Sequence, residues 1–246
     1  FFKYLSKDGD EGYPGTVEVR VWYVASKEDI GTEVPKTVLT AEYEVEFVGN
    51  ECEETTVNAQ TIGRELPLKL LVIAVFANTN SYFNIGNGPT IEGTEAQLFT
   101  NDYLPIDSTG IPLGPLEKFP RDVSNPFILQ SSEPHIDDIF IMQPDPSKIP
   151  LDTRSQPMNL LARFSHPDTH MHLEVHSTEP AFQFYTGKYV DVPAVEGAPA
   201  RGEGAGFCVE PSRYVNAVNE PKWRGMTVLK PGEVFGCKNM YRAWKE

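Results

Sequence analysis

The chain reads Thr16-Val17-Glu18-Val19-Arg20-Val21-Trp22-Tyr23-Val24 in one stretch and Thr40-Ala41-Glu42-Tyr43-Glu44-Val45-Glu46-Phe47-Val48 in a second. Apolar and polar residues alternate in both stretches, and a period of two is typical of strands that bury one face. The polar segment between them, residues 25–36, contains Gly31 and Pro35 and predicts a hairpin connection. The two stretches therefore predict an antiparallel sheet.

Strand patterns continue through the rest of the chain, and clusters of turn residues separate them. Further strands are predicted at residues 97–99, 139–142, 160–165, 170–176, 181–185, 206–209 and 225–229. The 246 residues include 21 Pro and 19 Gly, which argues against a helix bundle. We predict an all-β fold, a large antiparallel sandwich or a barrel-like arrangement, in one domain over residues 1–246.

The charge balance of the chain disfavours two classes of partner. Acidic residues outnumber basic ones 35 to 21, and the formal net charge is -14. Such a field repels phosphate backbones and anionic lipids. The apolar run from Leu66 to Ala77 is interrupted by Pro67 and Lys69, and it is shorter than the roughly 20 residues of a membrane helix. We expect neither nucleic acid nor a membrane as a partner.

The cysteines indicate a reducing compartment. Cys52, Cys208 and Cys237 have no CxxC spacing, and one would be left over in any pairing. Reduced, buried thiols are typical of cytosolic proteins, so we predict a cytoplasmic location.

Three histidines suggest a metal site at first inspection. On a strand, His170, His172 and His176 would share one face with Glu174, opposite a face of apolar residues. Zinc ligands usually converge from separate elements and are held by further polar groups. We therefore predict an ordinary solvent-facing side and no metal site.

Carboxylates at strand ends are candidates for acid–base chemistry. Asp137 and Asp138 precede the apolar segment 139–142, and Glu210 follows the apolar segment 206–209. A carboxylate beside a buried strand is partly desolvated, which raises its pKa towards the range of a general base. Because the chain has 35 acidic residues, solvated loop acids or caps remain an open alternative for all three.

Two short segments combine amides with aromatic residues. They are Gln183-Phe184-Tyr185-Thr186-Gly187 and Asn80-Ser81-Tyr82-Phe83-Asn84. An aromatic wall with a few orienting polar groups suits a carbohydrate pocket. The alternative is sheet core with turn residues.

In their order and spacing, these segments resemble the galactose mutarotase (aldose 1-epimerase) family. The resemblance rests on motifs across nearly the whole chain: Gly12-Tyr13-Pro14-Gly15, Asn80–Asn84, Asp102–Asp107, Ile136-Asp137, Gln183–Gly187, Gly206–Glu210, Asn216–Asn219 and Leu229–Glu233. It implies a large antiparallel β-sandwich. It also implies an isomerase that interconverts the α and β anomers of free aldohexoses, such as galactose and glucose, by general acid–base catalysis without a cofactor.

The resemblance also assigns residues to roles. Glu210 matches the general base, while Asp137 and Gln183 match groups that bind the sugar. Asp138 stands where the family often has His. Asn80 occupies the position of the family's general-acid His, and an amide can bind a sugar but cannot donate a proton at neutral pH. The resemblance thus implies an isomerase impaired at this step. The alternatives are a catalytically impaired carbohydrate-binding protein on the same fold and a structural or regulatory protein with a vestigial pocket.

Two departures from the family concern the extent of the domain. The family's Asn-Arg and His-Gly-Gly motifs precede the match to Gly12–Gly15, so the resemblance implies an N-terminally truncated sandwich. In the family, a strand like Thr55–Asn58 leads almost directly into the motif that begins at Asn80. We therefore predict that residues 59–77 are an insertion outside the sheet order. A mis-spliced or translated intervening sequence would account for it, and the alternative is a genuine insertion that replaced the acid.

Overall fold

The structure, a computed structural model, describes residues 1–28, 34–57 and 81–246. The predicted insertion at residues 59–77 and the candidate residue Asn80 therefore lie outside the described residues. So does part of the predicted hairpin connection, residues 29–33.

Short strands joined by turns make up most of the described chain. In chain order the strands are β1 (Phe2–Ser6), β2 (Val17–Glu28), β3 (Lys36–Phe47), β4 (Thr55–Thr56), β5 (Glu95–Leu98), β6 (Asp102–Tyr103), β7 (Glu117–Lys118), β8 (Phe127–Ile128), β9 (Asp137–Ile141), β10 (Asn159–His166), β11 (Met171–Ser177), β12 (Ala181–Tyr185), β13 (Cys208–Ser212), β14 (Val228–Leu229) and β15 (Val234–Lys245). Single-turn 3-10 helices lie at Asp10–Gly12, Pro146–Lys148, Ala217–Asn219 and Arg224–Met226. In the part of the chain that the structure describes, no helix has the length and apolar character needed to cross a membrane.

The strands form two large antiparallel sheets. The first has eight strands in the order β1-β2-β3-β15-β11-β10-β5-β8, and the second has five in the order β13-β12-β9-β6-β7. A two-stranded sheet, β14-β4, packs beside them. The predicted hairpin is confirmed, because β2 and β3 pair in one unbroken register from Val17 opposite Phe47 to Glu28 opposite Lys36.

Aromatic side chains fill the space between the two large sheets. Phe164 of β10 stacks on Phe207 with ring centroids 4.1 Å apart, and Phe184 of β12 meets the same ring edge-on at 6.3 Å. All three side chains are fully buried. This layered packing confirms the all-β, antiparallel sandwich.

Most of the predicted strands have somewhat different bounds in the structure, and three of the differences have a clear physical reason. Strand β11 begins at Met171, because His170 has a left-handed backbone with φ of 54° and belongs to a turn. Strand β13 continues through Glu210 and Pro211, where the sequence suggested a stop. Proline is tolerated there because β13 is an edge strand of its sheet. In the segment 225–229, the only strand is β14, and a 3-10 helix precedes it.

Candidate active site

The outer face of the five-stranded sheet brings together three of the predicted site residues. In the register of β9, β12 and β13, residues opposite each other form two neighbouring rows. One row is Asp137, Tyr185 and Cys208, and the other is Ile139, Gln183 and Glu210. Side chains alternate along each strand, so these six point away from the core that Phe182 and Phe184 enter. Three strands thus supply Glu210, Gln183 and Asp137 to one face.

An apolar layer covers the adjoining part of that face. Ile141 and Ala181 lie opposite each other in the next row of this face. They pack with Ile139, Tyr214 and Met226 in one buried apolar cluster. The polar residues begin where this layer ends. Glu210 lies at the boundary and is only 5% exposed, whereas Gln183 and Asp137 are half-buried.

Burial changes the acidity of Glu210. Loss of solvent is the larger cause and the nearby charge of Asp137 the second, and together they raise the pKa of Glu210 to about 8. A carboxylate with this pKa is partly ionised near neutral pH and is a stronger base than a solvated one. The structure therefore supports the sequence-based interpretation of Glu210 as a desolvated carboxylate.

Gln183 and Asp137 hold each other in place. The Nε2 atom of Gln183 donates a hydrogen bond of 2.7 Å to Oδ1 of Asp137. The Gln183 amide keeps its carbonyl oxygen and a second N–H, and Asp137 keeps its other oxygen. An oriented set of donors and acceptors of this kind can bind the hydroxyl groups of a sugar.

Two tyrosines border the same face. Tyr82 and Tyr185 meet edge-on with ring centroids 6.4 Å apart. The Tyr82 hydroxyl lies near the Cys208 thiol, and burial raises the pKa of both groups. Tyr82 is anchored by its neighbour, because Phe83 and Phe207 exchange backbone hydrogen bonds of 2.8 and 2.9 Å.

Sequence reasoning assigned Cys208 to buried thiols and missed its position on the site face. The signal was present, because residues 208 and 210 share a face in any strand that contains both. The predicted strand stops at residue 209, so it does not place Cys208 and Glu210 on one face. All three cysteines are free thiols, with Cys208 and Cys237 fully buried.

Asp138, the other acid of the pair, does not join the site. It lies opposite Phe184, on the inner face of the sheet, and burial raises the pKa of its carboxyl group. His135, two residues before Asp137, has its Nε2 atom 3.5 Å from a carboxylate oxygen of Glu133 and 3.6 Å from one of Glu203.

The histidine-bearing face of β11 differs from the predicted solvent-facing side. Glu174 is only 6% exposed, because Arg163 and Arg242 close over it with N–O distances of 2.9 and 3.2 Å. His176 contacts the same carboxylate, and His172 stacks on Trp244 at 4.9 Å. Across residues 1–28, 34–57 and 81–246, no group of three or more His, Cys, Asp or Glu side chains is arranged to hold a metal ion.

Solved structures share this architecture. The GalM/aldose epimerase homologue from C. elegans superimposes with a TM-score of 0.70 over 99% of this chain and 65% of its own, at 14% identity. Likeness at that identity shows the fold. The family model described as aldose 1-epimerase matches residues 39–242. The chain belongs to the aldose 1-epimerase family.

Curated relatives of the chain are longer than it is. It is 35% identical to the bifunctional protein GAL10 of Pachysolen tannophilus over 98% of this chain and 30% of that protein. It is 31% identical to the galactose mutarotase of Sus scrofa over 95% of this chain and 59% of that protein. The chain therefore spans about three tenths of the first relative and about three fifths of the second.

Proposed function

We propose that the chain is an aldose 1-epimerase that interconverts the α and β anomers of free aldohexoses such as galactose and glucose. The observation that supports this function is the cluster of Glu210, Gln183 and Asp137 on one face of the sheet. Family membership supports the reaction class. The proposed location is the cytoplasm, and the proposed partner is the free monosaccharide.

Glu210 is the proposed general base. Its carboxylate takes the proton of the anomeric hydroxyl while the bond from C1 to the ring oxygen breaks. The ring oxygen acquires a proton, the aldehyde turns about the C1–C2 bond, and closure on the other side of the carbonyl gives the other anomer. Both steps move only protons between the sugar and side chains, so the proposed reaction needs no cofactor.

Asp137 and Gln183 are the proposed sugar-binding groups. Because they hold each other, the sugar meets acceptors and donors that are already oriented, and less entropy is lost on binding. Asn80, the remaining sequence-based candidate, lies outside the described residues and is proposed to contact the sugar as an amide.

A carbohydrate-binding protein without turnover is the second candidate function. Asn80 favours it, because a positioned general acid typically contributes about 10²- to 10⁴-fold and Asn cannot supply a proton. The two candidates share the same binding face and differ in whether the anomers interconvert.

Mutarotation of fresh α-D-galactose separates these candidates. We expect the chain to accelerate the decay of optical rotation, but less than the galactose mutarotase of Sus scrofa assayed alongside it. If the chain binds galactose but the optical rotation decays at the rate seen in buffer alone, the result would contradict the proposed epimerase and favour the carbohydrate-binding protein.

Gln183→Leu tests the proposed sugar-binding role. The substitution removes the amide and leaves Asp137 without its 2.7 Å partner, so we expect about tenfold weaker binding of D-galactose. Titration followed by tryptophan fluorescence or NMR measures the change. The matched control is Gln156→Leu in an exposed turn, which should bind as the parent chain does. Equal affinity of the Gln183→Leu variant and the control would exclude Gln183 from the sugar site.

A further inference from the structure

Ring opening requires a proton donor as well as a base. This requirement rests on the proposed function, in which Glu210 removes one proton and the ring oxygen gains another. The donor must lie on the same face as Glu210 and keep its proton at neutral pH. Tyrosine hydroxyl groups meet the second condition, because their ordinary pKa is about 10.

The hydrogen bonds of the two site tyrosines distinguish them. The Tyr185 oxygen accepts a hydrogen bond of 2.6 Å from the backbone N–H of Tyr189. A phenol that accepts a hydrogen bond still has its own proton to donate. Among the described residues, no acceptor takes that proton. Within the described ranges, no backbone N–H is placed to stabilise a phenolate at Tyr82, whose hydroxyl lies near the Cys208 thiol.

The strand register places Tyr185 at a suitable distance from Glu210. Gln183 lies directly opposite Glu210, so Tyr185 is its diagonal neighbour across the β12–β13 pair. Diagonal neighbours on one face are about 7–8 Å apart. That spacing refers to their Cα atoms, and it lets both side chains reach a single sugar bound on this face. His135, in contrast, precedes β9 and is held between two carboxylates.

We propose that Tyr185 donates its hydroxyl proton to the ring oxygen of the sugar while Glu210 accepts the proton of the anomeric hydroxyl. The electron pair of the O1–H bond forms the carbonyl, and that of the C1–O5 bond receives the phenol proton. Tyr185 is left as a phenolate and Glu210 as a carboxylic acid. On closure the O5 hydroxyl returns its proton to Tyr185 as it attacks the aldehyde, and Glu210 returns its proton to O1.

The environment of Tyr185 fits both states of the cycle. Burial raises the pKa of its hydroxyl, which keeps the phenol protonated before reaction. The N–H of Tyr189 points at the same oxygen and stabilises the phenolate that forms. A phenol of this kind is a weaker acid than an imidazolium, so it supports a slower reaction than a histidine donor.

Mutarotation of D-galactose by Tyr185→Phe is the first test. We expect about a 10- to 100-fold loss of kcat/KM, since a hydrogen bond to a group that develops charge is removed. The matched control is Tyr23→Phe, which removes the hydroxyl of a partly exposed tyrosine on β2 of the eight-stranded sheet. The control should retain the parent rate.

Binding of a carbocyclic analogue of galactose is the second test and needs no turnover. This probe carries a methylene group in place of the ring oxygen. The parent chain should bind galactose about tenfold more tightly than the analogue, and Tyr185→Phe should bind both equally, because the donor no longer distinguishes them.

The outcomes separate this inference from the proposed function. If the parent chain and the Tyr185→Phe variant are equally active, Tyr185 is not the proton donor, but the proposed epimerase function still stands. Two other results would also overturn the role of Tyr185. One is a loss of activity in Tyr82→Phe but not in Tyr185→Phe, and the other is a Tyr185→Phe variant that still binds galactose more tightly than the analogue. A parent chain that neither binds galactose nor accelerates mutarotation would overturn both.

Discussion

Glu210→Gln should abolish the acceleration of mutarotation, with an expected loss of about 10²- to 10⁴-fold in kcat/KM. The amide has nearly the shape of the carboxylate but cannot accept the anomeric proton. In the parent chain kcat/KM should rise with pH around a midpoint near 8, the pKa to which burial and Asp137 raise Glu210. Polarimetry of fresh α-D-galactose between pH 6 and 10 measures both effects.

The same substitution should stabilise the fold at high pH. The pKa of Glu210 lies above its ordinary value of 4.5, so the native protein keeps a proton that the unfolded chain releases between these values. The stability gained from this proton is present below about pH 4.5 and is lost as pH rises through about 8. Gln carries no charge to bury, so the variant should exceed the parent by roughly 2–5 kcal/mol above pH 9.

Activity and stability together identify the role of Glu210. If Glu210 acts in catalysis, the Glu210→Gln variant should lose activity and gain stability, because the substitution removes a buried charge. The matched control is Glu196→Gln, which changes an exposed loop carboxylate and should alter neither property. Loss of activity together with a less stable Glu210→Gln variant would show that Glu210 acts through the fold.

The strands were predictable because their alternation is visible in the sequence. Strands β2 and β3 bury Val17, Val19 and Val21 opposite Phe47, Val45 and Tyr43, and this arrangement follows from a period of two. The end of β13 was predicted wrongly because Pro211 breaks a central strand but not an edge strand. Edge position depends on the order of strands in the sheet, which no local pattern shows.

The relations between the site residues needed the register of three strands that are distant in sequence. The resemblance matched Glu210, Gln183 and Asp137 to the family's site one at a time. Only pairing shows that Gln183 lies between the other two and contacts Asp137. The apolar layer on the same face includes Tyr214 and Met226, which lie after β13 and in a 3-10 helix, where no periodicity marks them. Asp138 shows the same limit, because its face is fixed by alternation only once the strand is known to start at Asp137.

Arg213→Met should lower the free energy of unfolding by about 3–5 kcal/mol. Arg213 follows β13 directly, and its Nη1 atom lies 3.0 Å from Oε2 of Glu179, with both side chains fully buried. Its Nη2 atom donates a hydrogen bond of 2.8 Å to the Leu151 carbonyl, and the guanidinium lies 4.8 Å from the Phe235 ring of β15. The ion pair thus joins the site-bearing sheet to the larger sheet. Removing the cation leaves the Glu179 charge without a partner in the core.

The double variant Glu179→Leu with Arg213→Met should recover most of this loss. Burial raises the pKa of Glu179 even though Arg213 lies beside it, so desolvation outweighs the attraction between the two charges. Replacing both groups with apolar side chains removes that cost, and such replacements of buried pairs are often neutral or stabilising. Urea unfolding of the parent chain, both single variants and the double variant gives the coupling energy. A double variant as unstable as Arg213→Met alone would show that the contacts of Arg213 with Leu151 and Phe235 carry the stability, rather than its pairing with Glu179.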